Sequence, residues 1–197
     1  KWKVVAGKAK VVKSPAKYHV EIALRTKTTL APPKDRKPYK PRVAKKESGW
    51  YAGDFHVHSV QSGDAQATFD QIVTLAKSRG LDFVNLSDHN TVAQHALIAA
   101  QQASYGDFLL LRGAEITTYS GHGNAVGIHD YVDHRLGYNG RTVKGIVDDV
   151  RAQGGIFIVN HPMLDLGTAC LGCAWTYDDA GDEAGAMELQ PGNYRQS

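Results

Sequence analysis

His56 and His58 stand two residues apart at the end of a short apolar run, and the pattern recurs along the chain. Asp54-Phe55-His56-Val57-His58, Phe83-Val84-Asn85-Leu86-Ser87-Asp88-His89, Leu109-Leu110-Leu111-Arg112-Gly113-Ala114-Glu115 and Ile156-Phe157-Ile158-Val159-Asn160-His161-Pro162 each close on an imidazole or a carboxylate. In Gly121-His122-Gly123-Asn124-Ala125-Val126 the imidazole precedes the run instead of following it. Strand tips from one sheet meet at one edge. Imidazoles and carboxylates delivered there assemble a metal centre without any dense local motif. The chemistry this pattern points to is metal-assisted hydrolysis.

Individual residues carry different weights. On a strand, His56 and His58 project from the same face and can share one ion. Asp88 beside His89 offers a carboxylate that could orient an imidazole, bind metal or move a proton. Glu115 ends a run of leucines, and a buried carboxylate without a cation costs several kcal/mol. A bridging ligand is its most economical role; the competing one is a salt bridge to Arg112. His122 lies between glycines that allow close backbone approach, though they suit an ordinary turn as well. His161 precedes Pro162, which favours an extended backbone there. Asp64 follows His58 by six residues in the first strand-to-helix loop, where it serves as ligand, proton acceptor or turn former. His19, His95, His129 and His134 are assigned ordinary roles, His95 on the polar side of a helix.

The elements that must position these residues alternate. Strands are expected at 50–58, 83–87, 108–111, 125–128, 156–159 and 186–189. Helices are expected from the Thr68 capping box to Gly80, from an Asn90 cap to Ala103, and from Thr142 to Gly154. This alternation predicts a parallel sheet with crossover helices. The loop over 164–184 is long enough for a lid. Ahead of this domain (49–197), residues 1–30 read as two strands, 3–13 and 18–25, forming an appendage. Residues 31–48 read as a Pro- and Lys-rich linker.

At 197 residues and 42% hydrophobic content, one medium domain with an appendage is expected. No apolar run approaches the roughly 18 residues of a membrane-spanning helix. Residues 1–46 hold 15 Lys or Arg against 2 acids, whereas 47–197 hold 8 against 18. The basic segment reads as solvated linker and strand edges first, with nucleic acid or another anionic polymer as the disfavoured partner. Cys170 and Cys173 are the two cysteines, without a second pair for a zinc knuckle. A short disulfide in an oxidising compartment is the first reading, a thioredoxin-like pair the second. That disulfide, with a chain opening on Lys1 rather than Met, gives an expectation of a processed, extracellular or periplasmic protein.

Asp-Phe-His-Val-His-Ser, Leu-Ser-Asp-His-Asn, Gly-Ala-Glu-Ile-Thr-Thr, Gly-His-Gly-Asn-Ala-Val-Gly and Val-Asn-His-Pro, in this order, resemble the PHP (polymerase and histidinol phosphatase) domain. The similarity covers about residues 50–190 and is strongest to the CehA/McbA branch of carbaryl-hydrolase-like proteins. It implies an α/β fold, a distorted (β/α)7 TIM-like barrel, with two or three divalent ions (Zn, Mn or Fe) at the strands' C-terminal mouth. By that resemblance His56, His58 and Glu115 serve one ion, Glu115, His122 and His161 a second, and His89 a third, with Asp64 where many members place another ligand. The family also closes its site with a late Asp-x-His, and no histidine follows His161. The barrel is therefore expected to be incomplete at its C-terminal end, as a fragment or a degenerate site.

Two functions follow as expectations. The first is hydrolysis of a small phosphoester, or of a carboxyl ester, amide or carbamate. There Asp88 or Asp64 accepts a proton, and His122 or His161 holds the oxyanion as well as metal. The second is a catalytically degenerate metal-binding module with a structural or anionic-polymer-binding role. Oligomeric state is not legible.

Overall fold

A computed structural model describes Val4, residues 11–27, Val43, residues 47–178 and residues 184–189. The chain divides into two units, Lys1–Lys34 and Asp35–Ser197. In the first, residues 18–25 form no ladder among the described residues, and Tyr18, Val20, Ile22 and Leu24 are exposed. Alternation alone does not make a strand, because the extended chain holds only against a partner. Most of the other expected strand, 3–13, and of the linker, 31–48, lies outside the described residues.

The second unit is a mixed α/β fold. Its strands are β1 (Gly53–Val57), β2 (Phe83–Leu86), β3 (Leu109–Thr117), β4 (His122–Val126), β5 (Ile156–Val159) and β6 (Ala186–Met187). Its helices are α1 (Phe69–Ser78), α2 (Ala93–Gln101) and α3 (Val143–Ala152). Helix α1 starts at the expected capping box: Thr68 Oγ1 accepts from Gln71 N, and the Gln71 side chain accepts from Thr68 N at 2.9 Å. Thr142 likewise caps α3 by accepting from Gly145 N at 3.1 Å.

Helix α2 departs from expectation at both its start and its face. Asn90 does not cap it. With φ 49°, Asn90 turns its amide onto β3, donating to Thr117 O and accepting from Thr117 N. The buried face is Gln94, His95 and Ile98, so His95 does not lie on an exposed polar side. Gln94 donates to the Gly113 and Leu86 carbonyls, and His95 Nε2 lies 3.0 Å from Gly113 O. Buried carbonyls at the β2–β3 seam need donors, and these polar side chains supply them.

The strands lie in sequence order, β1-β2-β3-β4-β5-β6. The pairs β1–β2, β2–β3 and β5–β6 are parallel, while β3–β4 and β4–β5 are antiparallel. The expected all-parallel sheet thus fails at β4. Only residues 118–121 separate β3 from β4, too few for a crossover and enough for a hairpin. This reversal explains why His122 precedes its apolar run. The start of β4 sits at the edge where the parallel strands end, with His122 paired to Thr117.

Side chains alternate across the sheet. Val84, Leu86, Leu110, Ile116, Phe157 and Val159 pack under the helices. Gly113, Glu115, Asn85, Asn124 and Asn160 share the other, concave face, where a Cβ on Gly113 would meet the Asn85 amide at 2.3 Å. The curl is measurable. Asn124 on β4 donates to Phe55 O on β1 at 2.9 Å, although β2 and β3 lie between them. In a flat sheet three strand spacings would put them about 14 Å apart. Asn85 donates to the same carbonyl at 3.0 Å, where the β1–β2 register is irregular.

Replacing Asn124 with Ala removes this cross-sheet bond and leaves Phe55 O and Asn160 under-partnered. The expected loss is about 1–3 kcal/mol of unfolding free energy, read from urea denaturation.

Candidate metal centre

Glu115 lies within β3, two residues before its end, and its side chain is 1% exposed. Burying a charge this deeply demands compensation. Five imidazoles supply it. His56 Nε2, His58 Nε2 and His89 Nδ1 lie 3.4, 3.0 and 2.9 Å from Glu115 Oε2. His122 Nδ1 and His161 Nε2 lie 3.3 and 3.4 Å from Oε1. Beneath the carboxylate, Asn160 Nδ2 donates to Oε1 at 2.9 Å and to Asn124 Oδ1 at 3.0 Å.

Each imidazole holds its second nitrogen on an outer acceptor. His56 Nδ1 is 2.8 Å from Glu188 Oε1, and His58 Nδ1 is 2.9 Å from Asp64 Oδ2. His89 Nε2 is 3.3 Å from Asp64 Oδ2. His122 Nε2 faces Leu171 O and His161 Nδ1 faces Cys173 O, each at 3.2 Å. An acceptor there places the ring proton outward and leaves the inward nitrogen with its lone pair.

Inward atoms remain without hydrogen bonds. His58 Nε2, Glu115 Oε2 and His122 Nδ1 are buried and have no hydrogen-bond partner, despite their proximity. Lone pairs crowded together and mutually misaligned are what a cation requires and what a protein-only core avoids. The donor set, imidazole nitrogen with carboxylate oxygen, suits Zn, Mn or Fe. Three groups bring one ligand atom each within 4.8 Å of the others: His56, Glu115 and His161; His58, Asp64 and His89; and His122, His161 and Cys173. His58 is thus grouped with Asp64 and His89, and it also shares Glu115 Oε2 with His56.

Burial opposes ionisation of Glu115, yet the imidazoles of His122, His161, His56 and His58 hold its carboxyl far below the usual range. Burial opposes the charge on His56 as well, but Glu115 and Glu188 raise its pKa to about 10. His58 is raised against burial by Glu115 and Asp64. Asp64, with a side chain 48% exposed at the rim, is lowered to about 2 against a burial penalty, by Ser62 and His58.

The remaining expected site residue, Asp88, is placed differently. It is fully buried, accepting from Ser59 N at 2.6 Å and from Ser59 Oγ at 2.8 Å. Burial raises its pKa, partly offset by those bonds. With each oxygen accepting from Ser59, it fixes the turn after β1 and interacts electrostatically with His58 and Asp64. His161 also differs from expectation. Its φ is 28°, not extended, and its N–H donates to Glu188 Oε2 at 2.8 Å. The Glu115–Arg112 pair is not formed; the carboxylate is spent on imidazoles.

Glu188, Asn85, Asn124 and Asn160 escaped the sequence reading. A signal was present for the amides: each interrupts or ends an apolar strand, an expensive place for an unpartnered amide. Glu188, just past the two-residue β6, carried none, because its contacts to His56 and His161 cross 132 and 27 residues of chain.

No family model and no curated protein matches the chain. The crystal structure of a two-domain protein containing a predicted PHP-like metal-dependent phosphoesterase, from Bacteroides vulgatus, is similar at 28% identity with a TM-score of 0.46. The likeness covers 57% of this chain and 35% of that one, so this chain spans about a third of its length.

Glu115→Gln is expected to abolish stoichiometric binding of Zn²⁺ or Mn²⁺, measured by elemental analysis after gel filtration. Glu188→Gln is expected to weaken binding about 10- to 100-fold by freeing the His56 ring, measured by competition with a chromophoric chelator.

Proposed function

We propose that this chain is a PHP-type metal-dependent hydrolase acting on a small phosphoester, with carboxyl esters, amides and carbamates as the other substrate class. The observation that supports this reading is the set of inward lone pairs around Glu115, left without hydrogen bonds while the outer nitrogens are pinned. His56, Glu115 and His161 would hold one divalent ion, His58, Asp64 and His89 another, and His122 would share the first through Glu115. Such ions supply Lewis acidity, which activates water and neutralises charge on the substrate's oxygens.

The chain's own residues divide the remaining work. Asp64 is the half-exposed carboxylate at the rim, ionised at neutral pH and bonded to His58. On this reading it would accept a proton from an attacking water and release it to solvent. Asn160 and Asn124 keep Glu115 from rotating as charge develops nearby. Glu188 locks the His56 tautomer. Asp88 anchors the loop that carries Asp64, through Ser59. The loop after His161 roofs His122 and His161, excluding bulk water from that side.

Release of p-nitrophenol from phosphate monoesters, phosphate diesters and carboxyl esters tests the reading. Metal-loaded protein is expected to turn over at least one of them, a chelator to stop it, and added Mn²⁺ or Zn²⁺ to restore it. Asp64→Asn should lower kcat about 100-fold or more. Full metal occupancy without turnover of any ester would instead make the chain a metal-binding module.

A further inference from the structure

We propose that Cys173 is a redox-gated ligand of this centre: bonded to Cys170 it leaves the His122–His161 position open, and freed by reduction its thiolate closes it. The inference rests on the reading of the Glu115 cluster as a metal centre.

Cys170 and Cys173 form a disulfide across Leu171 and Gly172. One ligand atom each from Cys173, His122 and His161 lies within 4.8 Å of the other two. All three residues are buried, at 4%, 3% and 7% exposure. His122 Nδ1, moreover, is one of the buried nitrogens without a hydrogen bond. A sulfur in a disulfide is a poor donor to a cation, whereas a thiolate is among the strongest for zinc.

Cys173 keeps its place when the bond opens, because other contacts seat the loop. Trp175 N donates to Pro162 O at 2.9 Å, and Thr176 N donates to Ser120 O at 2.8 Å. The Trp175 ring packs beside Phe157 and Tyr177. Gly172, at φ 77°, lies so close to the 118–120 turn that a Cβ would come within 2.3 Å of Thr118 O. Cys170 is the less buried partner and the one an external thiol reaches first.

The exchange balances with a dithiol reductant. Its thiolate attacks Cys170 Sγ, the disulfide breaks, and the electron pair leaves on Cys173 Sγ as thiolate. The reductant's second thiol then resolves the mixed disulfide, leaving as a disulfide and releasing Cys170, which takes up a proton. Cys173 is thereby delivered as the anion that binds metal. On the ion that His161 and His122 face, the thiolate would add a ligand where water or substrate would otherwise bind. The oxidised chain is the hydrolytically open form.

Cobalt(II) titration of the full chain separates the outcomes, with far-ultraviolet circular dichroism checking that each variant is folded. Reduced wild type and Cys170→Ser should show a thiolate-to-cobalt charge-transfer band. Oxidised wild type and reduced Cys173→Ser should bind cobalt without it. Cobalt bound by the reduced wild type and by Cys170→Ser with no such band overturns the inference and leaves the metal centre standing. A band persisting in Cys173→Ser also overturns it. Failure of every form to bind cobalt removes the metal centre itself, and this inference with it.

Discussion

A carboxylate with almost no solvent contact sits at the middle of this domain, and its environment is organised to tolerate it. Glu115 is approached by five imidazole nitrogens between 2.9 and 3.4 Å, and its Oε1 also accepts from the Asn160 amide. Removing a carboxylate from water costs several kcal/mol unless charge of the opposite sign is close. Proximity of the rings and the carboxylate favours the charged form of each, which is why His56 and His58 are raised and Glu115 is lowered. The same geometry offers a cation more donors than protons can satisfy with good alignment.

The fold answers to this one group. Parallel strands β1, β2 and β3 bring His56, His58, His89 and Glu115 to a common edge, and the reversed β4 brings His122 to it from the opposite chain direction. The curl of the sheet, fastened by Asn85 and Asn124 on Phe55 O, draws the first and fourth strands toward each other. Every ring is then fixed by an outer acceptor: Glu188, Asp64, or a carbonyl of the Cys170–Cys173 loop. That loop therefore serves twice. It sets ring orientation through its backbone, and it carries a sulfur beside two of the rings. The half-exposed carboxylate of Asp64 lies at the rim and the buried carboxamides of Asn160 and Asn124 lie beneath Glu115, so that the open side faces solvent and rigidity faces the core.

Much of this was legible in one dimension. Period-2 and period-3.6 patterns located β1, β2, β5, α1 and α3 closely, and the Thr68 capping box forms as its spacing requires. The residues that gather round Glu115 were visible as polar endings of apolar runs, because a strand tip is where a ligand can be polar without disturbing the core. Local pattern misled where a long-range partner decided the outcome. Asn90 looked like a cap but is held by Thr117, and His95 looked exposed but donates into the β2–β3 seam. Asp88 showed no local sign of its partner, yet both its oxygens accept from Ser59 across 29 residues of chain.

What the order of amino acids determined by itself is the inventory: which side chains can bind a cation, that strand tips carry them, and that helices separate most of the strands. Residue type and spacing act locally, so they suffice for that. Only the tertiary structure decided the direction of β4, the grouping of His58 with Asp64 and His89, the orienting role of Glu188, and the approach of Cys173 to His122 and His161. Those are facts of distance between residues far apart in the chain. They arise from the curl of the sheet and the seating of a loop, which no local pattern encodes.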